Sequence, residues 1–178
     1  LENVDGVRVR YVENPSDLGE PDLILLPGSK NTIEDMMFVR RTGMETEIKK
    51  LHHKGTVIFG ICGGYQILGK EIHDPHKTES NLLTIEGMGL LNTKTVFQQK
   101  KVTTQSQGII SNNEGVLEGL SELPVCGYEI HMGTTEYGEG CLPFITIKKV
   151  LDKDEDYIDG ITNADGSVFG TYMHGVFD

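Results

Sequence analysis

The sequence predicts an α/β domain, with helices on both faces of a mostly parallel sheet and an antiparallel edge. Three observations carry that prediction. Two short apolar runs, "LILL" (23–26) and "TVIFGI" (56–61), each end near a glycine, as buried strands do. Stretches with helical spacing follow them. The second half is rich in threonine and glycine and alternates in short runs.

Taken in order, "VRVRYV" (7–12) alternates and reads as a strand, and "NPSDLGEPD" reads as loop. "LILL" runs into Pro27 and Gly28. In "NTIEDMMFVRR", Asn31 and Glu34 have capping-box spacing, and Ile33, Met36 and Met37 share a face. A second helix over "GMETEIKKLHHKG" places Met44, Ile48 and Leu51 together, with Gly55 as its stop. After Cys62, "GGYQILGKEI" reads as a third helix. "TIEGMGLLNTKTVFQQKKVTTQSQGII", "CGYEIHMGTTEY" and "PFITIKKV" read as antiparallel strands, and a last strand is expected near 168–172.

The 178 residues suit a single domain able to bury its own core. A net charge of -11 repels phosphate backbones and argues against nucleic acid as a partner. No run approaches the length of a membrane span, and "LENVDGVRVR" lacks the apolar region of a secretion signal. Cys62, Cys126 and Cys141 are an odd set without CxxC spacing, so the expected setting is a reducing, cytoplasmic one. The abrupt ends suggest a piece of a longer chain.

The chemistry centres on "FGICGGYQILG" (59–69). Strand, Gly-x-Cys-x-Gly and helix in succession make a nucleophile elbow, with Gly60 and Gly64 giving room where a Cβ would clash. The elbow sets the Cys62 thiol at a helix N-terminus, which favours the thiolate, beside N–H groups able to hold an oxyanion. A thiol nucleophile needs a base. Of the six histidines, His174 follows a strand and precedes a glycine, at the strand end where reactive groups gather in parallel sheets. His73 and His76 flank "DP" in a loop, and no metal is required.

"GICGGYQILG" with a late "HG" resembles the class I (triad) glutamine amidotransferases. "LLPGSKNTIEDM", "ICGGYQILG", "DPHKTES", "GMGLL", "GYEIHMG" and "GTYMHGVF" together resemble the glutaminase domains of cobyric acid synthases, in order and over nearly the whole chain. The resemblance implies a flavodoxin-like sheet and hydrolysis of glutamine to glutamate and ammonia. It implies that residues 1–178 form one amidotransferase domain, cut from a chain with an N-terminal ATP-dependent synthetase domain. That partner would bind ATP, magnesium and the corrinoid, and would amidate peripheral carboxylates of adenosylcobyrinic acid a,c-diamide. The domain itself needs no cofactor. The family's nucleophile falls on Cys62, its histidine on His174, its oxyanion donors on Gly28 and Gly63, and its glutamine pocket on Gln66, Tyr128, Glu129 and His131.

The sequence departs from the wider class twice. Gly175 and Val176 follow His174 where the class has Pro-Glu, so a Cys–His dyad is expected. "PGSK" lacks the spacing of a phosphate-binding GxxxxGK[ST] loop, so ATP belongs to the synthetase part. Three rival readings stay open. The first is a glutaminase for another amidoligase, namely cobyrinic acid a,c-diamide synthase or cell-wall lipid amidation. The second is a non-catalytic assembly domain on this fold, and the third a cysteine hydrolase or peptidase.

Overall fold

The computed structural model describes residues 1–177. Short apolar segments give β1 (Leu23–Leu26) and β2 (Val57–Ile61), which pair in parallel, Ile24 opposite Ile58. Between them lie α1 (Thr32–Arg41) and α2 (Met44–His53). Asn31 caps α1 as expected, its side-chain oxygen accepting the Glu34 N–H at 3.1 Å. The third helix, α3 (Gly63–Leu68), begins directly at the cysteine.

The rest of the described chain is mostly strand, with one 3-10 turn at Gly115–Leu117: β3 (Glu71–His73), β4 (Thr84–Glu86), β5 (Thr93–Ile110), β6 (Pro124–Tyr137), β7 (Cys141–Val150), β8 (Lys153–Asn163), β9 (Val168–Thr171) and β10 (Met173–His174). All ten form a single mixed sheet in the order β1-β2-β9-β8-β7-β5-β3-β4, with β6 joined to β5 and β10. Among the described residues, parallel pairing is confined to β1–β2, β2–β9 and β3–β5. The α/β class and the antiparallel second half agree with the sequence.

Three expectations need correction. Among the described residues, 7–12 form no strand. The Arg10 guanidinium instead donates to the Asp17 and Leu18 carbonyls at 2.9 and 2.7 Å, tying this segment to a turn rather than to the free edge of β1. The helix expected over 63–72 stops at Leu68, because Gly69 turns extended and the Lys70 N–H is captured by the Thr93 carbonyl at 2.8 Å. Helices were expected on both faces, yet α1, α2 and α3 contact one another on one side of the parallel strands.

Their apolar residues Ile33, Met36, Ile48, Leu51 and Leu68 form one core with Ile24, Ile58 and Val168. The opposite face is closed by the curl of the antiparallel strands. There Phe59 and Phe169 stack at 4.7 Å and pack with Phe144, Ile145 and Met173. This second core fixes β2 against β9, the two strands whose ends carry Cys62 and the His174 segment.

Candidate active site

Cys62 has φ 52° and ψ -110°, a conformation that L side chains rarely adopt. Three contacts enforce it. Its N–H donates to the Thr171 carbonyl on β9 at 2.8 Å, the Gly64 N–H donates to the Pro27 carbonyl at 3.1 Å, and Gln66 N–H returns to the Cys62 carbonyl at 3.0 Å. A Cβ on Gly64 would lie 2.1 Å from the Leu26 carbonyl, and one on Gly60 would lie 2.7 Å from the Tyr65 backbone. Only glycine lets α3 turn this tightly over β1 and β2.

The Cys62 thiol is 8% exposed and donates to the Ile130 carbonyl of β6 at 3.4 Å. Burial pushes its pKa up, and the Gly63 N–H pulls the other way without prevailing. The resting nucleophile is therefore a thiol, not the thiolate that the helix terminus alone would favour.

His174 sits on β10, opposite Tyr128 of β6, and the two rings stack in parallel at 5.3 Å. Burial lowers the His174 pKa, with His131 adding to the shift. Its Nε2 is buried and has no hydrogen-bond partner among the described residues. Gly28 joins the pair: a Cβ there would lie 3.0 Å from His174 Cε1 and 3.7 Å from Cys62 Cβ. Neither the Gly28 nor the Gly63 N–H donates to a main-chain carbonyl among the described residues.

Cys62, His174, Gly28, Gln66, Tyr128 and His131 line a single cavity of about 540 Å³. Glu129 does not line it. Its carboxylate is engaged elsewhere, accepting from the Ser106 and Tyr157 hydroxyls at 2.5 and 2.7 Å, with His131 Nε2 at 3.6 Å. Those donors hold its pKa low despite burial. Gln66 lines the cavity but is 3% exposed and fully engaged: it accepts from Thr32 and donates to the Met132 carbonyl and Tyr172 hydroxyl. It locks α1, β6 and the β9–β10 segment around the cavity. His131 stacks on Tyr172 at 3.9 Å.

Two residues escaped the sequence reading. Asp159 is 3% exposed and accepts from the Thr171 hydroxyl and the Tyr172 and Met173 N–H groups, pinning the residues ahead of His174. A lone acid in the apolar run "YIDGIT" was its signal. Glu79 lines the cavity; its signal was the acidic end of "DPHKTES". Among the described residues no cluster of three or more His, Cys, Asp or Glu could hold a metal, and no helix is long and apolar enough to cross a membrane.

A cysteine forced to positive φ between a parallel strand and a helix, facing a strand-end histidine across a cleft, is the layout of a glutamine amidotransferase of class I. Solved structures share the fold. A glutamine amidotransferase superposes with TM-score 0.62 at 18% identity, covering 95% of this chain and 78% of that one. PurLQS from Thermotoga maritima gives 0.65 at 24%, covering 93% and 74%. Residues 1–178 match the CobB/CobQ-like glutamine amidotransferase domain, and the chain belongs to that family. It is 48% identical to a cobyric acid synthase of Dehalococcoides mccartyi over 98% of its own length and 34% of that protein's. It is 47% identical to one of Clostridium acetobutylicum, covering 98% and 33%. The chain thus spans about a third of the length of these relatives.

Proposed function

We propose that this chain is the glutaminase domain of a cobyric acid synthase. It hydrolyses glutamine through a Cys62 thioester and supplies ammonia to an ATP-dependent synthetase domain, in the cytoplasm. There the ammonia amidates peripheral carboxylates of adenosylcobyrinic acid a,c-diamide, a step of cobalamin biosynthesis. ATP, magnesium and the corrinoid belong to that partner. The identity with cobyric acid synthases along almost the whole chain supports the pathway. The observation that carries the chemistry is the strained Cys62 sharing a cavity with the unpartnered His174 nitrogen.

The geometry supports a definite sequence of steps. Both groups rest neutral, the thiol raised and the imidazole lowered. Substrate entry releases the thiol from the Ile130 carbonyl, and His174 takes its proton. The thiolate attacks the side-chain amide carbon of glutamine, and the oxyanion collects at the Gly28 and Gly63 N–H groups. The imidazolium returns its proton to the leaving nitrogen, and ammonia departs. Water, deprotonated by the same histidine, then cleaves the thioester to glutamate. No carboxylate among the described residues is hydrogen-bonded to His174, and Glu129 is engaged by Ser106 and Tyr157, which supports a dyad.

In the full-length protein, Cys62→Ser is expected to abolish glutamine-dependent amidation of the corrinoid while amidation from free ammonium persists. Glutamate release by this variant at near the parent rate would overturn the proposal.

A further inference from the structure

His174 lacks the hydrogen bond that ordinarily fixes a proton-transferring imidazole. Ring hydrogen bonds among the described residues fall on His52, His53, His73 and His131, and none falls on His174. A histidine that moves protons is usually held by an acceptor on its second nitrogen, which sets the tautomer and the ring plane. Without one, the torsion that turns the ring has a broad well. The backbone restrains it little, because β10 has only two residues and the chain leaves it through Gly175 at φ 81°. Another contact has to set the plane of the imidazole.

Tyr128 offers that contact. It stands directly opposite His174 in the antiparallel β6–β10 pair, and residues so paired project to the same side. The two rings lie 4° from parallel with centroids 5.3 Å apart, within the range of offset aromatic stacks. Gly127 makes this approach possible, since a Cβ there would lie 2.1 Å from the His174 carbonyl. At the Cε1 edge of the imidazole, Gly28 leaves room for a Cβ only 3.0 Å away. The ring is thus bounded on a face and on an edge by apolar contacts alone.

The Tyr128 hydroxyl is not what engages the ring. Tyrosine hydroxyl hydrogen bonds among the described residues belong to Tyr157 and Tyr172, and Tyr128 makes none. Tyr128 is also 47% exposed, so one side of it packs on His174 while much of the rest meets solvent. An exposed aromatic whose hydroxyl is unused acts through its face.

We propose that Tyr128 is a positioning residue: its ring face, in place of a carboxylate, holds the His174 imidazole in the plane from which it exchanges protons with Cys62. The assignment rests on the glutaminase reading above. Its bland competitor is that Tyr128 lines the cavity only as a wall against the substrate. The two differ in which kinetic constant they move, because a wall acts on binding and a positioned base acts on turnover.

The test measures glutamate release from L-glutamine by the full-length protein and its variants. Tyr128→Phe keeps the face and loses the hydroxyl, and both kcat and KM are expected within a few-fold of the parent. Tyr128→Leu keeps apolar cover and loses the plane. It should lower kcat by about 10-fold, the upper worth of an aromatic stack, with KM within a few-fold. If the leucine protein does not fold, Tyr128→Thr asks the same question with a residue suited to an exposed strand position. A flat-ring requirement is overturned by a leucine or threonine protein that keeps the parent kcat. It is equally overturned by a phenylalanine protein that loses as much as leucine does, or by a rise in KM at unchanged kcat. Each of those results leaves the glutaminase reading standing. A parent protein that releases no glutamate overturns both.

Discussion

Gly28 shows how little room the catalytic pair leaves. Its backbone lies outside the positive-φ region and the residue is exposed, so alanine there costs the fold little. The added methyl would nevertheless sit 3.0 Å from His174 Cε1 and 3.7 Å from Cys62 Cβ, in the space where an amide must enter. Gly28→Ala is expected to lower glutamine kcat/KM by roughly 10²-fold, as displacement of a donor or reacting group does, with stability within about 0.5 kcal/mol. Steady-state kinetics and denaturant melts on the same preparation check both parts, and unchanged kinetics would remove Gly28 from the site. Residues of this kind were legible in the sequence because their requirement is local: Gly60, Cys62 and Gly64 announce a tight turn within five positions. Glu79 was not, because its place depends on which cavity a distant loop is folded against. For Glu129, the sequence did not reveal that Ser106 of β5 and Tyr157 of β8 would engage its carboxylate outside the cavity lining.

At the scale of elements, the break between β9 and β10 is what presents His174, and Asp159 of β8 holds it. Three donors from Thr171–Met173 converge on one buried carboxylate. Burial outweighs them, and the Asp159 pKa is raised to about 6, with the Glu129 charge adding to the rise and His131 opposing it. A folded pKa above the unfolded value stabilises while the group is protonated, and that contribution is lost as pH rises from about 4 through about 6. The loss is on the order of 1–3 kcal/mol for a shift of this kind. Asp159→Asn should therefore flatten the fall in stability between pH 4 and 7 relative to the parent protein, measured by urea melts. Parallel pH profiles of the two proteins would show that Asp159 does not titrate there. Elements with strong periodicity, α1 and α2, were readable from spacing alone. The segment 7–12 was misread because alternation reports a half-buried extended chain, whereas pairing needs a neighbouring edge to accept it. The end of α3 was misread because β5, two dozen residues downstream, captures the chain at Gly69.

The whole sheet is closed by a contact between distant parts of the chain. Ile58 of β2 pairs with Val168 of β9, roughly 110 residues later, and the antiparallel strands fill the interval. Non-local and parallel pairing of this kind forms slowly, because loop closure precedes any reward from contacts. The Cys62 N–H finds its acceptor, the Thr171 carbonyl, only when β9 arrives. In a chain with Cys126 and Cys141 replaced by Ser, protection of the remaining thiol from a labelling reagent is expected in the slowest refolding phase, after most tyrosine fluorescence has recovered. Protection in the earliest phase would mean that the elbow forms without β9. Until that strand docks, the nucleophile is an ordinary exposed thiol, open to oxidants and to mixed disulfides with other nascent chains. The order of strands in the sequence thus sets a period of redox vulnerability during synthesis, which ends when β9 brings the Thr171 carbonyl to the elbow.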